Sequence, residues 1–375
     1  MDISRILLLV QAPSKFTWQE VVMIAIGALL VYLAIAKDIE PVLLLPIGFG
    51  AIVTNIPLSE IFGNAGFLKI IYDAGIETEL LPLLLFVGVG AMTDFGPLYE
   101  NPKMVFLGAA GHIGVFITML VAILFGFSIK DAGAIAAIGT MDGPTSIIVA
   151  KTLSPSLLAP IAVAAYSYMS LVPIIQPPIM KLLTTDAERK THMPYSEMKV
   201  SKTVRVIFPI VVTIVVSLIA PAASALIATI MLGNLMRESG VVERLTSASE
   251  NEIANVTTLL LGLAVGASMK ADTFIQWNTF GVIALGLVAF VFDMAGGVLF
   301  GKLLYTLTNH KFNPLIGSAG ISAFPMAARV VQRIGQEYDF DNFLLMHAMG
   351  ANVAGQLCSV VAGGVILAML SGTLL

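Results

Sequence analysis

The chain has one cysteine, four histidines and few charges. The lone Cys358 excludes an internal disulfide and a cysteine-rich metal site. His112, His192, His310 and His347 lie far apart, without metal-ligand spacing. Charged residues make up 12%, against about 25% in a soluble domain. The net charge of −4 is small and spread out, which gives no basic field for nucleic acid. The first residues, MDISRILLLVQAPSKFTWQE, hold a short apolar patch without a small-residue cleavage site. They read as an amphipathic lead-in, not a signal peptide.

Apolar residues, by contrast, make up 57% of the chain, and runs near 20 residues recur along it. This composition predicts an all-α polytopic membrane protein of about ten membrane segments. Trp18 to Ala36 is the first clear span, with Trp18 at an interface position. Ile39 to Pro57 is interrupted by Pro41, Pro46, Gly48 and Gly50, and it ends near Asn55. Ile61 to Tyr72 is too short to span. Leu80 to Met92 ends in a polar break, as a re-entrant element or half-helix does. Met104 to Phe127, Phe280 to Leu304 and Phe343 to Leu370 read as full spans. Thr184 to Lys202 is the one sustained polar stretch. With its edges it holds Lys181, Arg189, Lys190, Lys199, Lys202 and Arg205, so the positive-inside rule places it in the cytoplasm. The expected organisation is a lead-in and first helix over 1–36, a first repeat over 37–183, a basic loop over 184–205 and a second repeat over 206–375.

The repeat rests on three matches in one order. Gly139-x4-Pro144 recurs as Gly320-x4-Pro325, Val89-Gly90-Ala91 as Val265-Gly266-Ala267, and Asn55 as Asn234. The offsets are 181 (144 to 325), 176 (90 to 266) and 179 (55 to 234). Gly/Pro-interrupted segments at matching positions of two halves point to a transporter-like fold with its site at the midplane, in inverted topology.

The chemistry centres on Gly139-Thr140-Met141-Asp142-Gly143-Pro144-Thr145-Ser146, inside an apolar run from Ala132 to Ala150. An acid there costs about 2.5–3.5 kcal/mol at a helix centre. Gly143-Pro144 breaks the helix and frees carbonyls beside the carboxylate. The arrangement suits a small cation; the plainer alternative is a kinked helix whose Asp faces a water-filled crevice or a lysine, but intramembrane acids are seldom structural. The partner motif runs Asn313-Pro314-Leu315-Ile316-Gly317-Ser318-Ala319-Gly320-Ile321-Ser322-Ala323-Phe324-Pro325, with Arg329 just beyond. Asn313 and Ser322 offer neutral oxygens, and Gly317 and Gly320 permit close helix approach. An Asp with neutral oxygens fits Na+, and a buried carboxyl also carries H+. Each neighbour has a plainer role open to it. Asn313 can cap a helix, Ser322 can bond back to its own helix, and Arg329 can anchor a span end. Tyr166 and Tyr168 can be interface aromatics, and Asn352 can bind one helix to another.

The stretches GTMDGPTSIIVAKTL, AAYSYMSL, NPLIGSAGISAFPMAARV and HAMGANVAGQ carry a resemblance that covers nearly the whole chain. It resembles the beta subunits of the sodium-pumping, biotin-dependent decarboxylases that act on oxaloacetate, methylmalonyl-CoA or glutaconyl-CoA. The resemblance implies a membrane subunit that decarboxylates carboxybiotin, consumes a proton and exports Na+. It implies metal ligation by Asp142, Asn313, Gly317, Ser322 and Asn352. It also implies catalytic roles for Asp142, Tyr168 and Arg329, with Arg329 binding the substrate carboxylate. The cofactors it implies are Na+ and carboxybiotin carried on a partner subunit, none bound covalently here. The implied partners are a biotin carrier subunit, a carboxyltransferase alpha subunit and a small membrane gamma or delta subunit. The implied assembly is a homotrimer in the cytoplasmic (inner) cell membrane, each chain with a scaffold and a core. A stand-alone secondary transporter, a Na+/H+ antiporter or a Na+-coupled carboxylate symporter, would use the same repeat and the same Asp.

Overall fold

A computed structural model describes residues 15–194 and 200–372. The expected lead-in over residues 1–14 and part of the basic stretch, including Lys199, lie outside the described residues. The described residues are helical, without a strand.

Chain order gives α1 (Trp18–Ala36), α2 (Pro41–Thr54), α3 (Phe67–Tyr72), α4 (Leu80–Met92), α5 (Val105–Ala110), α6 (Ile113–Leu124), α7 (Ile129–Ala136), α8 (Gly143–Leu153), α9 (Leu158–Ser170) and α10 (Val172–Leu183). After the polar loop come α11 (Lys202–Ile219), α12 (Ser224–Ser239), α13 (Ala254–Ala267), α14 (Trp277–Leu307), α15 (Met326–Tyr338) and α16 (Leu345–Leu370). By length and composition, five helical segments can cross a bilayer: Trp18–Ala36, Pro102–Leu124, Lys202–Ile219, Trp277–Leu307 and Leu345–Leu370. Two bent pairs, Phe67–Glu77 with Leu80–Met92 and Pro155–Met169 with Val172–Leu183, raise the number to at most seven. The expected count of about ten is therefore not established. The shortfall has a physical cause: α2, at 14 residues, is about 21 Å long, less than a hydrocarbon core of about 30 Å.

Parts of the two halves match, although α5 and α6 are separate where α14 is continuous. A π-helical turn precedes α4 at Asp73–Glu77, and another precedes α13 at Ser249–Ile253. Each recurring motif meets the other half. A Cβ on Gly90 would lie 1.9 Å from Ile230 O, and one on Gly266 would lie 2.1 Å from Ile47 O. Only glycine allows these backbones to touch. Asn55, at the end of α2, donates to Met269 O (2.7 Å) and accepts from Ala271 N (2.9 Å) beyond α13. Asn234 on α12 accepts from Tyr99 Oη beyond α4 (3.0 Å).

Contacts also fix the direction of each half. Arg205 near the start of α11 pairs with Glu238 at the end of α12 (3.6 Å), and Arg237 donates to Ala91 O and Met92 O at the end of α4. Met92 and Thr93 share a cavity wall with Glu40 before α2 and Glu250 before α13. One face, here the loop face, thus holds the end of α4 and the start of α13, so these matched helices run in opposite directions. Thr17, at the start of α1, shares a depression on the far face with Asn55 and Lys270. The first half therefore begins at the far face and the second at the loop face, as an inverted repeat requires.

Two segments read in the sequence as broken spans are re-entrant hairpins. In the first, α7 and α8 share one mouth on the far face: Ser154 Oγ donates to Asp131 Oδ1 (2.5 Å), and Lys151 pairs with Glu79 (2.8 Å). In the second, the turn Pro314–Ala319 and α15 share a mouth on the loop face. Asn313 Nδ2 donates to Arg189 O and Thr191 O (2.9 Å each), and His192 meets Asp339 at 2.7 Å. Arg189 is itself buried. It bonds Thr184 and Asp186 and lies over the Tyr338 ring, 4.7 Å from the centroid. This ties the polar loop down on the second hairpin.

Candidate functional site

The hairpin tips meet halfway between the faces. At the first tip, Ala137–Thr140 tightens into a 3-10 turn, and Met141 takes a left-handed backbone (φ 53°). Asp142 then adopts an extended conformation and starts α8, with Pro144 in its first turn. At this break side chains and an amide meet the backbone carbonyls: Thr140 Oγ1 donates to Ala137 O (2.7 Å), Ser146 N to Asp142 O (2.9 Å), and Ser146 Oγ sits 2.9 Å from both oxygens. Asp142 is buried, 4% exposed. Its Oδ2 accepts from Thr145 Oγ1 (2.8 Å) and from Ser359 Oγ on α16 (3.1 Å). Ser359 Oγ also lies 3.3 Å from Ser322 Oγ at the second tip. One hydroxyl from a third element thus joins the two tips.

Asp142, Ser322, Gln356, Tyr166 and the Phe324-Pro325 pair line one cavity of about 470 Å³. Its remaining wall comes from the start of α2, the end of α4 and the start of α13, so it opens toward the loop face. Among the described residues, no group of three or more His, Cys, Asp or Glu is placed to hold a metal ion. A carboxylate with hydroxyl and amide oxygens is instead the donor set of a hard monovalent cation. Thr145, Ser322 and Ser359 hydroxyls can each turn a lone pair toward it.

The expected site residues divide into two groups. Asp142 and Ser322 face the cavity. Asn352 stands one turn from Gln356 and two from Ser359 on α16, on the same helix face. Its Nδ2 donates to Ile321 O (2.5 Å), beside Ser322, and its Oδ1 is buried without a donor among the described residues. Asn313 lies at the hairpin mouth, where its Oδ1 accepts from Leu315 N (3.0 Å) as a cap. Gly317 is a contact point: a Cβ there would come 1.9 Å from Gly297 O of α14. Tyr168 Oη donates to Ile283 O on α14, and its ring packs on Phe290. The tyrosine beside Asp142 is Tyr166, whose ring covers Gly143 so closely that a Cβ there would meet it at 2.2 Å. Arg329 is exposed on α15, one turn nearer the loop face than Pro325, and has no ion pair among the described residues.

Sequence reasoning assigned no role to Thr145, Gln356 or Ser359, although Asn352, Gln356 and Ser359 follow a 4–3 helical spacing that puts them on one face. It also passed over Asp293, an acid in the middle of an apolar run, which is the signal that singled out Asp142.

Opposed re-entrant hairpins, an inverted repeat and a midplane carboxylate in a cavity open to one face together define an ion-translocating membrane protein. The sequence matches the family described as the Na+-transporting oxaloacetate decarboxylase beta subunit over residues 19–370. It is 53% identical to the glutaconyl-CoA decarboxylase subunit beta of Acidaminococcus fermentans, covering 95% of each chain. It is 52% identical to the methylmalonyl-CoA decarboxylase subunit beta of Veillonella parvula, over 95% of this chain and 94% of that one. The oxaloacetate decarboxylase beta chain of Klebsiella pneumoniae is 45% identical, over 93% and 94%. The chain belongs to this family, the membrane-embedded beta subunits of Na+-translocating decarboxylases.

Proposed function

We propose that this chain decarboxylates carboxybiotin and uses that reaction to export Na+, with one site at the hairpin tips serving both. The observation that carries this reading is Asp142, a carboxylate at a helix break, hydroxyl-bonded to Thr145 and Ser359 in a cavity open to the loop face. The basic residues Lys181, Lys190, Lys202 and Arg205 make that face cytoplasmic by the positive-inside rule, in a cell membrane. Na+ enters from there and takes oxygens from Asp142, Ser322, Gln356 and the carbonyls around the breaks. Asn352 supplies its free Oδ1 from one turn below. Asn313 and Gly317 act at one remove, by fixing the second hairpin.

Carboxybiotin, carried on a partner's biotin domain, docks on the cytoplasmic face. Arg329, exposed between the tip and that face, pairs with its carboxylate. As the carboxylate leaves as carbon dioxide, a proton reaches the biotin ring nitrogen. The Tyr166 hydroxyl is the nearer tyrosine to Asp142 for that transfer, whereas Tyr168 braces α14. Moving one charge against 100 mV costs about 2.3 kcal/mol, which decarboxylation supplies. The partners are a biotin carrier, a carboxyltransferase alpha subunit and a small gamma or delta subunit, around a trimer of this chain. The expected first unit of 37–183 gains α1, which opens the first half at the far face, so the units are 18–183 and 206–375, joined by the basic loop over 184–205.

The test is decarboxylation of free carboxybiotin by the purified membrane subunits, titrated with Na+. Saturable activation that disappears in Asp142→Asn is expected. A folded chain that binds Na+, lacks decarboxylation and co-purifies with no biotinylated subunit would instead be a stand-alone transporter.

A further inference from the structure

A second acid is buried at the same depth. Asp293 occupies the middle of α14 and is 0% exposed. Among the described residues no lysine or arginine pairs with it, and the one basic side chain nearby is His112. Oδ1 accepts the Val115 amide at 3.2 Å, and the Gly114 amide also faces the carboxyl, both from the first turn of α6. Oδ2 has no donor among the described residues. It faces Gly139 instead, where a Cβ would come 2.7 Å from it. Gly139 lies three residues before Asp142 on the first hairpin.

Two elements converge on this carboxyl of α14, the first turn of α6 and the first hairpin at Gly139. The break between α5 and α6 lies just before those amides, and its Gly111 touches the second tip, a Cβ there lying 2.0 Å from Gly320 O. His112, in the same break, holds Gly108 O through Nδ1 (2.7 Å) and turns its other nitrogen toward the Thr140 backbone. Asp293 and Val115 also stand 178 residues apart, within the 176–181 range of the motif offsets, so corresponding spans of the two halves meet here. The titratable groups facing this point are His112 from the α5–α6 break and, further along the hairpin, Asp142. Tyr168 of α9 meets α14 at Gly286 and Phe290. Lys130 and Asp131 stay at the mouth of the hairpin, Lys181 pairs with Glu337 near the loop, and the turn Pro314–Ala319 carries no titratable side chain.

An ionised carboxylate draws donors to both oxygens. A carboxylic acid accepts on one oxygen and carries hydrogen on the other. At Asp293 one oxygen receives amides and the other, Oδ2, has neither donor nor acceptor among the described residues, so the neutral acid leaves one hydroxyl unpaired there where the carboxylate would leave a charge, the costlier of the two. A bare charge at this depth costs several kcal/mol, and the N-terminal amides of α6 offset only part of that. We propose that Asp293 is a second proton-binding site of this chain, separate from Asp142, with the proton on Oδ2 in the conformation open to the loop face. Its ionisation is linked to the first hairpin, because Gly139 fills the space any donor or cation for Oδ2 would need. Its role in coupling rests on the sodium-pump reading; the bound proton does not.

The test is infrared difference spectroscopy on the whole complex, with aspartate 13C-labelled at the side-chain carboxyl. Asp142 and Asp293 are the buried aspartates among the described residues. In Asp142→Asn, a carbonyl band of an un-ionised carboxylic acid that shifts with the label should therefore remain, and it should vanish in Asp293→Asn. Absence of that band in labelled Asp142→Asn overturns the proposal, whether or not Asp293→Asn folds. In turnover, the slope of log Na+ half-saturation against pH should fall by about one in Asp293→Asn. An unchanged slope refutes the linkage. If no variant and no wild type decarboxylates carboxybiotin, the pump reading fails while the infrared result still decides the proton.

Discussion

The two hairpins share one backbone plan and differ in chemistry. Both enter to the midplane, break at a Gly-x4-Pro motif and return, from opposite faces. The first carries Asp142 at its tip; the residue 181 further on (142 to 323) is Ala323. The first is held at its mouth by a serine–aspartate bond and a lysine–glutamate pair. The second is strapped by the polar loop through Asn313, Arg189 and His192. The two halves thus present two helix breaks, and only one holds a charge. Two carboxylates around one cation-sized gap would repel whenever the cation left, so the asymmetry keeps the empty state affordable. The second hairpin then contributes shape and neutral oxygens.

The comparison can be broken most sharply at the charged tip. Asp142→Asn is expected to reduce Na+-activated decarboxylation by at least about 100-fold, the scale of removing one partner from a buried charge pair. Gly317→Ala tests the neutral hairpin's packing. Its Cβ would lie 1.9 Å from a backbone oxygen that has no flexible end to move, so a loss of about 3 kcal/mol in stability is expected, read as lost thermal stability of the purified complex. Asn313→Ala separates cap from ligand. The cap predicts about 1–2 kcal/mol lost in thermal stability, with Na+ half-saturation moving less than about threefold. A ligand predicts the reverse.

Ser359→Ala removes the hydroxyl shared by the tips. It should raise Na+ half-saturation about fivefold, for a hydrogen bond of about 1 kcal/mol, with little change in stability. The smallest effect is expected at the strap. His192 holds the exposed Asp339 carboxyl below the usual carboxylate range, chiefly through their hydrogen bond. The folded value is depressed, so the contribution is present above the unfolded carboxylate value of about 3.9 and lost as pH falls through the depressed one. The thermal-stability difference between wild type and His192→Ala should therefore be measurable near neutral pH and vanish in strong acid.

Much of this was legible in the residues. Asp142 stood out because an acid in an apolar run is costly anywhere, and Gly143-Pro144 announced the break without a partner in view. The Gly90 and Gly266 match was readable because each glycine meets the other half's backbone. Tyr166 and Tyr168 were harder. They are two residues apart on a helix, about 200° around its axis, so only one can face Asp142, and nothing local says which. The number of crossings was not legible either, because helices as short as α2 fall below the length that hydropathy recognises.

The sequence by itself determined the helical membrane class, the duplication and the ionisable residue at the centre, because hydrophobicity, proline and charge act where they stand. Only the tertiary structure decided which oxygens share the cavity, which face it opens to and that the broken segments are hairpins. Asp142 and Ser359 are 217 residues apart. Their meeting depends on glycine contacts that set how closely distant backbones approach, and no local pattern encodes that distance.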